Sequence, residues 1–274
     1  MVHHTISTSS RPAPSAIIAA PGYTDASIFA AGGNPYGYSH TQGKEFDDNA
    51  RAAMKVLQAA GYTVHLNAVK GERPLCCGRT FLSAGQVEQA KAEATRTFDT
   101  LLPFVKRGVA IVGLEPSCLL TMRDEFLQYG YGHEARLLSE HAFLFEEFLV
   151  REKKAGRFTL SLKPLSTDTV MLHGHCHQKA FDALTPVQTV LGWIPDLKVS
   201  TIESSCCGMA GSFGYEAEHY QTSMAMAELA LLPAVRKRPA NSLVVADGTS
   251  CRHQIQDGAQ TEALHCAVVL AQAL

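Results

Sequence analysis

Two kinds of apolar pattern alternate along this chain. Short blocks of apolar residues at 16–20, 63–67 and 109–114 have strand length and no helical period. Longer stretches between them carry apolar side chains at helical spacing. Residues 47–60 form one such stretch. Another runs from Val87 through Ala90, Ala94, Phe98 and Leu101 to Val105, close to the 3.6-residue repeat that puts one face of a helix on a core. Ser83 with Gln86 three residues on predicts a capping box at its start. Lys106, Arg107 and Gly108 suit its end, and Pro103 should kink its last turn.

The second half has the same rhythm. Strands are predicted at 169–173, 198–202 and 242–246. Helices are predicted at 178–191, bent at Pro186, at 216–235 and at 262–273. Strand–helix alternation favours parallel sheets joined by right-handed crossovers.

The chain also repeats itself. Cys76-Cys77-Gly78 recurs as Cys206-Cys207-Gly208, an offset of 130 residues that also carries Leu101-Leu102-Pro103 onto Leu231-Leu232-Pro233. At an offset of 133, Val112, Ser117 and Cys118 fall on Val245, Ser250 and Cys251. An ordered series of matches points to duplication. The fold class expected is therefore α/β, with two tandem Rossmann-like βαβ repeats whose parallel sheets are related by pseudo-two-fold symmetry. A loose tail at 1–14, a first cysteine-rich repeat at 15–150, a connecting segment at 151–167 and a second repeat at 168–274 make up the expected organisation.

Composition narrows the function. At 274 residues there is material for two ordinary cores. A net charge of −2 gives no reason to expect nucleic acid as a partner. No apolar run approaches the roughly 20 residues of a membrane span, and the polar start resembles no signal peptide. The expected location is the cytoplasm, with peripheral attachment at the inner face of the membrane left open. Eight cysteines in a reducing compartment are metal ligands, redox groups or small core residues rather than staples.

Their placement decides among these. Cys176, the Cys206-Cys207 pair and Cys251 each follow a predicted strand, at the carboxyl edge where parallel sheets bind ligands. Four thiolates from three loops suit a [4Fe–4S] cluster or a structural zinc. An adjacent cysteine pair serves one ion awkwardly but reaches two irons. Gly208 would let backbone approach an inorganic sulfide, and Gly211 and Gly214 keep the loop compact. Cys118, Cys176 and Cys251 each open a predicted helix, whose N-terminus favours thiolate. His173, His175, His177, Arg252 and His253 surround the second set and read as donors around the ligands. Cys266 has no counterpart in the first repeat and reads as core.

The first repeat is incomplete. It has Cys76, Cys77 and Cys118, a partial second site that could recruit His40, Glu45 or Glu115, or stay empty.

These motifs resemble the CCG cysteine-rich domain. That domain occurs in tandem in the iron–sulfur subunit of glycolate oxidase, in the lactate-utilisation iron–sulfur protein and in heterodisulfide reductase. The likeness is strongest to the C-terminal iron–sulfur region of FAD-linked D-lactate or D-2-hydroxyglutarate dehydrogenases. It is carried by Leu75-Cys76-Cys77-Gly78-Arg79, Gly113-Leu114-Glu115-Pro116-Ser117-Cys118, His173-Gly174-His175-Cys176-His177-Gln178-Lys179, Cys206-Cys207-Gly208-Met209-Ala210-Gly211 and residues 246–254.

The resemblance implies one [4Fe–4S] cluster, with a second left open, that accepts electrons from a flavin after oxidation of a 2-hydroxy acid. The implied partners are a flavoprotein dehydrogenase, which alone would carry FAD, and a ferredoxin-like iron–sulfur protein. The fuller family motif ends in CxxC, where this chain has Glu115-x-x-Cys118 and Gly248-x-x-Cys251. That departure suits a four-thiolate cluster better than a five-cysteine non-cubane one. Neither a flavin domain nor ferredoxin-like cysteine runs are present, which implies a separate subunit or an excised domain that does not oxidise substrate alone. Two other readings stand beside it: heterodisulfide-reductase-like catalysis at an open iron, and a structural zinc interaction module.

Overall fold

The computed structural model describes residues 15–18, 41–66 and 75–274, with side chains from residue 48 onward within these spans. His40 lies outside the described residues, as does the side chain of Glu45. The chain divides into two compact units, Met1–Phe145 and Glu146–Leu274.

In the first unit a parallel sheet takes the order β2-β1-β3-β4. Its strands are β1 (Ser15–Ile18), β2 (Thr63–Leu66), β3 (Ala110–Gly113) and β4 (Ala142–Leu144). Ala16 pairs with Val64 on one side and Ala110 on the other, and Val112 pairs with Phe143. Every residue of β3 is buried, as expected for a central parallel strand covered on both faces. Its helices are α1 (Thr41–Ala59), α2 (Arg79–Ser83), α3 (Val87–Val105), α4 (Pro116–Thr121) and α5 (His133–His141).

The second unit begins at Glu146, the second residue of helix α6 (Phe145–Lys154). There the strands are β5 (Thr169–Leu172), β6 (Lys198–Thr201), β7 (Ser242–Val245) and β8 (Ala263–Leu264), in the order β6-β5-β7-β8. All pairings are parallel. The helices are α7 (Cys176–Ala180), α8 (Leu184–Leu191), α9 (Tyr220–Glu228), α10 (Leu231–Arg236), α11 (Thr249–Ala259) and α12 (Cys266–Gln272). Val170, Leu172, Val187, Leu191, Leu232, Val235, Val245 and Ile255 are buried in its core.

Several expected helices are divided. The capping box at Ser83 does not form, because Gly85 turns the backbone left-handed at φ +74°. Ser83 instead closes α2, donating its hydroxyl to the Arg79 carbonyl at 3.0 Å, and Gln86 precedes α3 without a side-chain cap. The 178–191 helix is two helices, parted at Asp182 with φ +53°. Pro186 then sits in the first turn of α8, where its missing N–H costs nothing. The 216–235 helix also breaks, at Leu229-Ala230, and Pro233 falls in the first turn of α10. At the end of the chain, β8 precedes a shorter α12. Helix α6 ends at Lys154, so most of the 151–167 connection has neither helix nor strand.

Candidate metal centre

In the second unit three loops at the carboxyl ends of strands carry the candidate ligands. The β5–α7 loop delivers Cys176 as the first residue of α7. His175 caps that helix. Its Nδ1 accepts from the His177 N–H at 3.1 Å, while Gln178 Oε1 accepts from the His175 N–H at 3.0 Å. The β6–α9 loop carries Cys206-Cys207. Gly208 follows at φ +93°, and a Cβ there would stand 2.1 Å from the Ser223 carbonyl of α9. The glycine thus lets the turn form and pack against the helix, and its N–H donates to Cys206 Sγ at 3.3 Å. Ala210 also adopts positive φ, +42°, in this loop. Lys179 anchors the loop, donating from Nζ to the carbonyls of Ser204 and, at 2.8 Å, Ser205. Cys251 is the third residue of α11.

The four sulfurs meet in sequence. Cys176 bonds to Cys206, Cys206 to Cys207, and Cys207 to Cys251 with their sulfurs 3.4 Å apart. At that separation the two sulfurs are hydrogen-bonded, not joined as a disulfide, and all eight cysteines are free. Cys207 and Cys251 are buried, Cys206 is half-buried and Cys176 is exposed, so the group runs from core to surface.

Charge is shared unevenly. Hydrogen bonds from Cys176 and Cys207, with the N–H groups of Gly208 and Ala210, hold the Cys206 thiol far below its usual range. The Cys207 thiol does the same for Cys251, helped by His175 and His173. Cys176 is pushed up by its bond to Cys206 and then by burial, and Cys207 by its bonds to Cys206 and Cys251 and then by burial. Burial lowers Lys179, against the attraction of the four sulfurs. Four thiolates this close require a cationic centre to coexist.

The surrounding residues differ in role. His173 donates or accepts at Nδ1 with the Ser204 hydroxyl, 2.9 Å away, and one of its ring nitrogens lies within 4.8 Å of the Cys207 and Cys251 sulfurs. Its ring is buried and also hydrogen-bonds the Cys251 sulfur. His177 stacks on His175 at 5.1 Å and places Nδ1 3.7 Å from Cys176 Sγ. Arg252 donates to the main-chain carbonyls of Ala246 and Asp247, bracing the β7–α11 turn. His253 pairs with the Tyr215 hydroxyl at 2.7 Å.

Gly248 occupies the position where a CxxC motif would have its first cysteine. A Cβ there would lie 2.3 Å from the His175 ring and 3.3 Å from Cys251 Sγ. The imidazole fills the space a fifth sulfur needs.

The first unit repeats the turn with fewer sulfurs. Gly78, at φ +79°, packs under Ala90 of α3 and donates its N–H to Cys76 Sγ at 3.3 Å. Cys76 bonds to Cys77 and Cys77 to Cys118. Glu115 caps α4, its carboxylate accepting from the Ser117 hydroxyl at 2.8 Å. The Tyr129 hydroxyl is buried with no hydrogen bond among the described residues, and burial, Glu125 and then Cys77 raise its pKa. Tyr129, Lys179 and Gln178 were not singled out as site residues from sequence. Lys179 and Gln178 stand inside a quoted motif, but nothing in a sequence says which backbone a lysine will reach.

The donor set fits an iron–sulfur cluster. Four sulfurs from three loops, main-chain N–H donors on Cys206 and a buried histidine beside Cys207 and Cys251 are a soft, charge-stabilising environment. Cys266 lies apart from these sulfurs, fully buried beside Glu146.

Comparison with known proteins agrees. Residues 39–123, which include Cys76, Cys77 and Cys118, match the family model CCG, the cysteine-rich domain. The chain is 30% identical over 239 residues to one subunit of the anaerobic glycerol-3-phosphate dehydrogenase of Escherichia coli (strain K12), covering 86% of this chain and 56% of that one. It is 29% identical over 167 residues to D-2-hydroxyglutarate dehydrogenase of the same strain, covering 60% of this chain and 15% of that one. The D-2-hydroxyglutarate dehydrogenase of Pantoea ananatis is also 29% identical, over 177 residues, covering 63% of this chain and 16% of that one. The chain thus spans about half the length of the first of these relatives and a smaller share of the others. On its motifs and its matched segment, 39–123, the chain is similar to the CCG cysteine-rich domain family.

Proposed function

We propose that this chain is an iron–sulfur electron-transfer subunit or domain of a flavin-linked dehydrogenase that oxidises an alcohol carbon. The observation that carries the reading is the convergence of Cys176, Cys206, Cys207 and Cys251 from three loops onto one edge of a parallel sheet. Dehydrogenases are also what the similar proteins are named.

In this reading those four cysteines hold one [4Fe–4S] cluster, which supplies a one-electron acceptor and donor. The Gly208 N–H lowers the charge on Cys206, and Lys179 adds a cation nearby while tying the loop to α7. His173 brings a buried nitrogen beside Cys207 and Cys251. Burial of that pair excludes water on one side. Exposed Cys176 marks the edge where an electron enters from reduced flavin on a partner, before passing to a downstream carrier. The space taken by His175 at Gly248 favours four cysteine ligands over five.

The substrate belongs to the partner. A 2-hydroxy acid such as D-lactate, glycolate or D-2-hydroxyglutarate is the proposal from motif resemblance. The name of the glycerol-3-phosphate relative widens it to alcohols beside other anionic groups. The two units, with equal strand order and equal turns after the doublet, are proposed to descend from one duplicated domain.

Three thiols in the first unit favour a second reading, an open metal position that handles a thiol substrate. One experiment separates the two. Protein prepared without oxygen should give, on reduction, the EPR signal of a reduced cluster that disappears in Cys207→Ser. Reduction of a heterodisulfide in the absence of any flavoprotein would favour the second reading instead.

A further inference from the structure

Two of the three turns that carry the sulfurs are joined to each other by buried side chains. Asp247 stands in the turn between β7 and α11, just before Gly248 and one helical turn before Cys251. Gln178 lies in α7, the helix that Cys176 opens. Asp247 and Gln178 are each 1% exposed. Asp247 Oδ2 accepts from Gln178 Nε2 at 2.8 Å, and Gln178 Oε1 accepts from the His175 N–H at 3.0 Å. Asp247 Oδ1 accepts from the Cys266 N–H at 3.0 Å, and Arg252 donates to the Asp247 carbonyl at 2.7 Å.

Chemistry fixes the direction of these bonds. A main-chain N–H only donates and a carboxylate only accepts, so the Gln178 amide fits between them one way round. An oxygen of Glu146, one of Asp247 and a ring nitrogen of His265 form a buried polar group, all within 4.8 Å of one another. The neighbours of Asp247 have partners of their own. The Glu146 carboxyl bonds to the Cys266 thiol, and His265 Nδ1 accepts from the Ala267 N–H at 3.0 Å. The link through Gln178 is the one that runs toward Cys176.

Helix α7 has five residues, too few to hold their place by helical hydrogen bonds alone, and Cys176 at its start is exposed. Its location therefore depends on side-chain anchors. Gln178 supplies one, to the β7–α11 turn. Lys179 supplies another, to the Ser204 and Ser205 carbonyls ahead of Cys206. We propose that Asp247 is a positioning residue: through Gln178 it holds the Cys176 turn against the Cys251 turn, so that the four sulfurs stand together before any metal binds. Its bearing on electron transfer rests on the four-cysteine cluster proposed for this unit. The positioning itself is a property of the metal-free chain.

The test reverses the central bond in the full chain. In Asp247→Asn an amide N–H faces either Gln178 Nε2 or the Cys266 N–H, donor against donor. In Gln178→Glu two buried carboxylates face each other. With both changes, the amide introduced at 247 donates to the carboxylate introduced at 178. The His175 and Cys266 N–H groups then keep their acceptors, and the net charge is unchanged. Metal-free protein is loaded with Cd²⁺, a soft ion that takes thiolate ligands. Cadmium NMR then counts the bound sulfurs and separates the four-thiol group from the three described thiols of the first unit. The unaltered chain should give a four-sulfur signal. Each single variant should lose it and bind Cd²⁺ at this site at least tenfold more weakly, and the double variant should regain both. Iron per chain in protein prepared without oxygen should follow the same order. Glu152→Gln, which weakens the buried pairing with Arg157 on α6, should lower Tm and leave the cadmium signal as it is. Where a single variant does not fold, the double variant decides, since it must fold and give the four-sulfur signal. An unaltered chain without that signal, single variants that keep it, or a double variant no better than the worse single would overturn the positioning role. A restored cadmium signal in chains that take up no iron would support positioning and contradict the cluster instead.

Discussion

Single residues set how many sulfurs each site brings together. Gly248 leaves room for His175, so a cysteine at 248 meets the imidazole before it reaches a metal. Gly248→Cys is expected to overpack the site and cost about 1–3 kcal/mol, read as a lowered Tm, without raising the iron content. Gly208 is more sharply constrained, by a left-handed backbone and by the Ser223 carbonyl 2.1 Å from any Cβ. Gly208→Ala should cost about 2 kcal/mol or more, measured by denaturant unfolding of the metal-free chain. Thiol chemistry offers a third check. The Cys206 pKa is lowered and those of Cys176 and Cys207 are raised, so in metal-free protein Cys206 ionises before either of them. Iodoacetamide should therefore label half-buried Cys206 ahead of the more exposed Cys176, as mapped by peptide mass spectrometry. The candidate ligands were legible in the sequence because doublets and repeats are chemical patterns. Lys179 and Gln178 were not, because their roles lie in which carbonyl and which carboxylate the fold brings to them.

At the scale of elements, apolar period marked where helices lie but not where they break. Residues 178–191 keep an apolar face throughout, yet Asp182 turns left-handed and divides them. The division frees α7 to point its capped N-terminus, with Cys176, at the sulfur group. Strands β4 and β8 went unread because three and two residues are too short for any alternation to show. The short α7 depends on its cap: Gln178 closes the capping box and also reaches Asp247. Gln178→Ala should destabilise the chain by about 2–3 kcal/mol, measured by denaturant unfolding, because a buried carboxylate loses a donor together with the cap. A change no larger than a surface substitution would show that the capping box is incidental to the site.

Across the molecule, the strand orders β2-β1-β3-β4 and β6-β5-β7-β8 match, as do the Gly78 and Gly208 bonds to the first sulfur of each doublet. The offsets of 130 and 133 residues in the sequence relate a doublet that follows β2 to one that follows β6, and a cysteine after β3 to one after β7. What the units do not share is sulfur count: four converge in the second and three among the described residues of the first. That difference was readable from cysteine positions, whereas the buried Glu146, Asp247 and His265 group was not, since its members are far apart in sequence. The most direct test is iron and acid-labile sulfide per chain in protein prepared without oxygen, for the unaltered chain, Cys207→Ser and Cys77→Ser. About four irons with matching sulfide, lost in Cys207→Ser and largely kept in Cys77→Ser, is the result expected. A colourless chain with neither iron nor sulfide, or equal losses in both variants, would contradict a cluster held by the second unit.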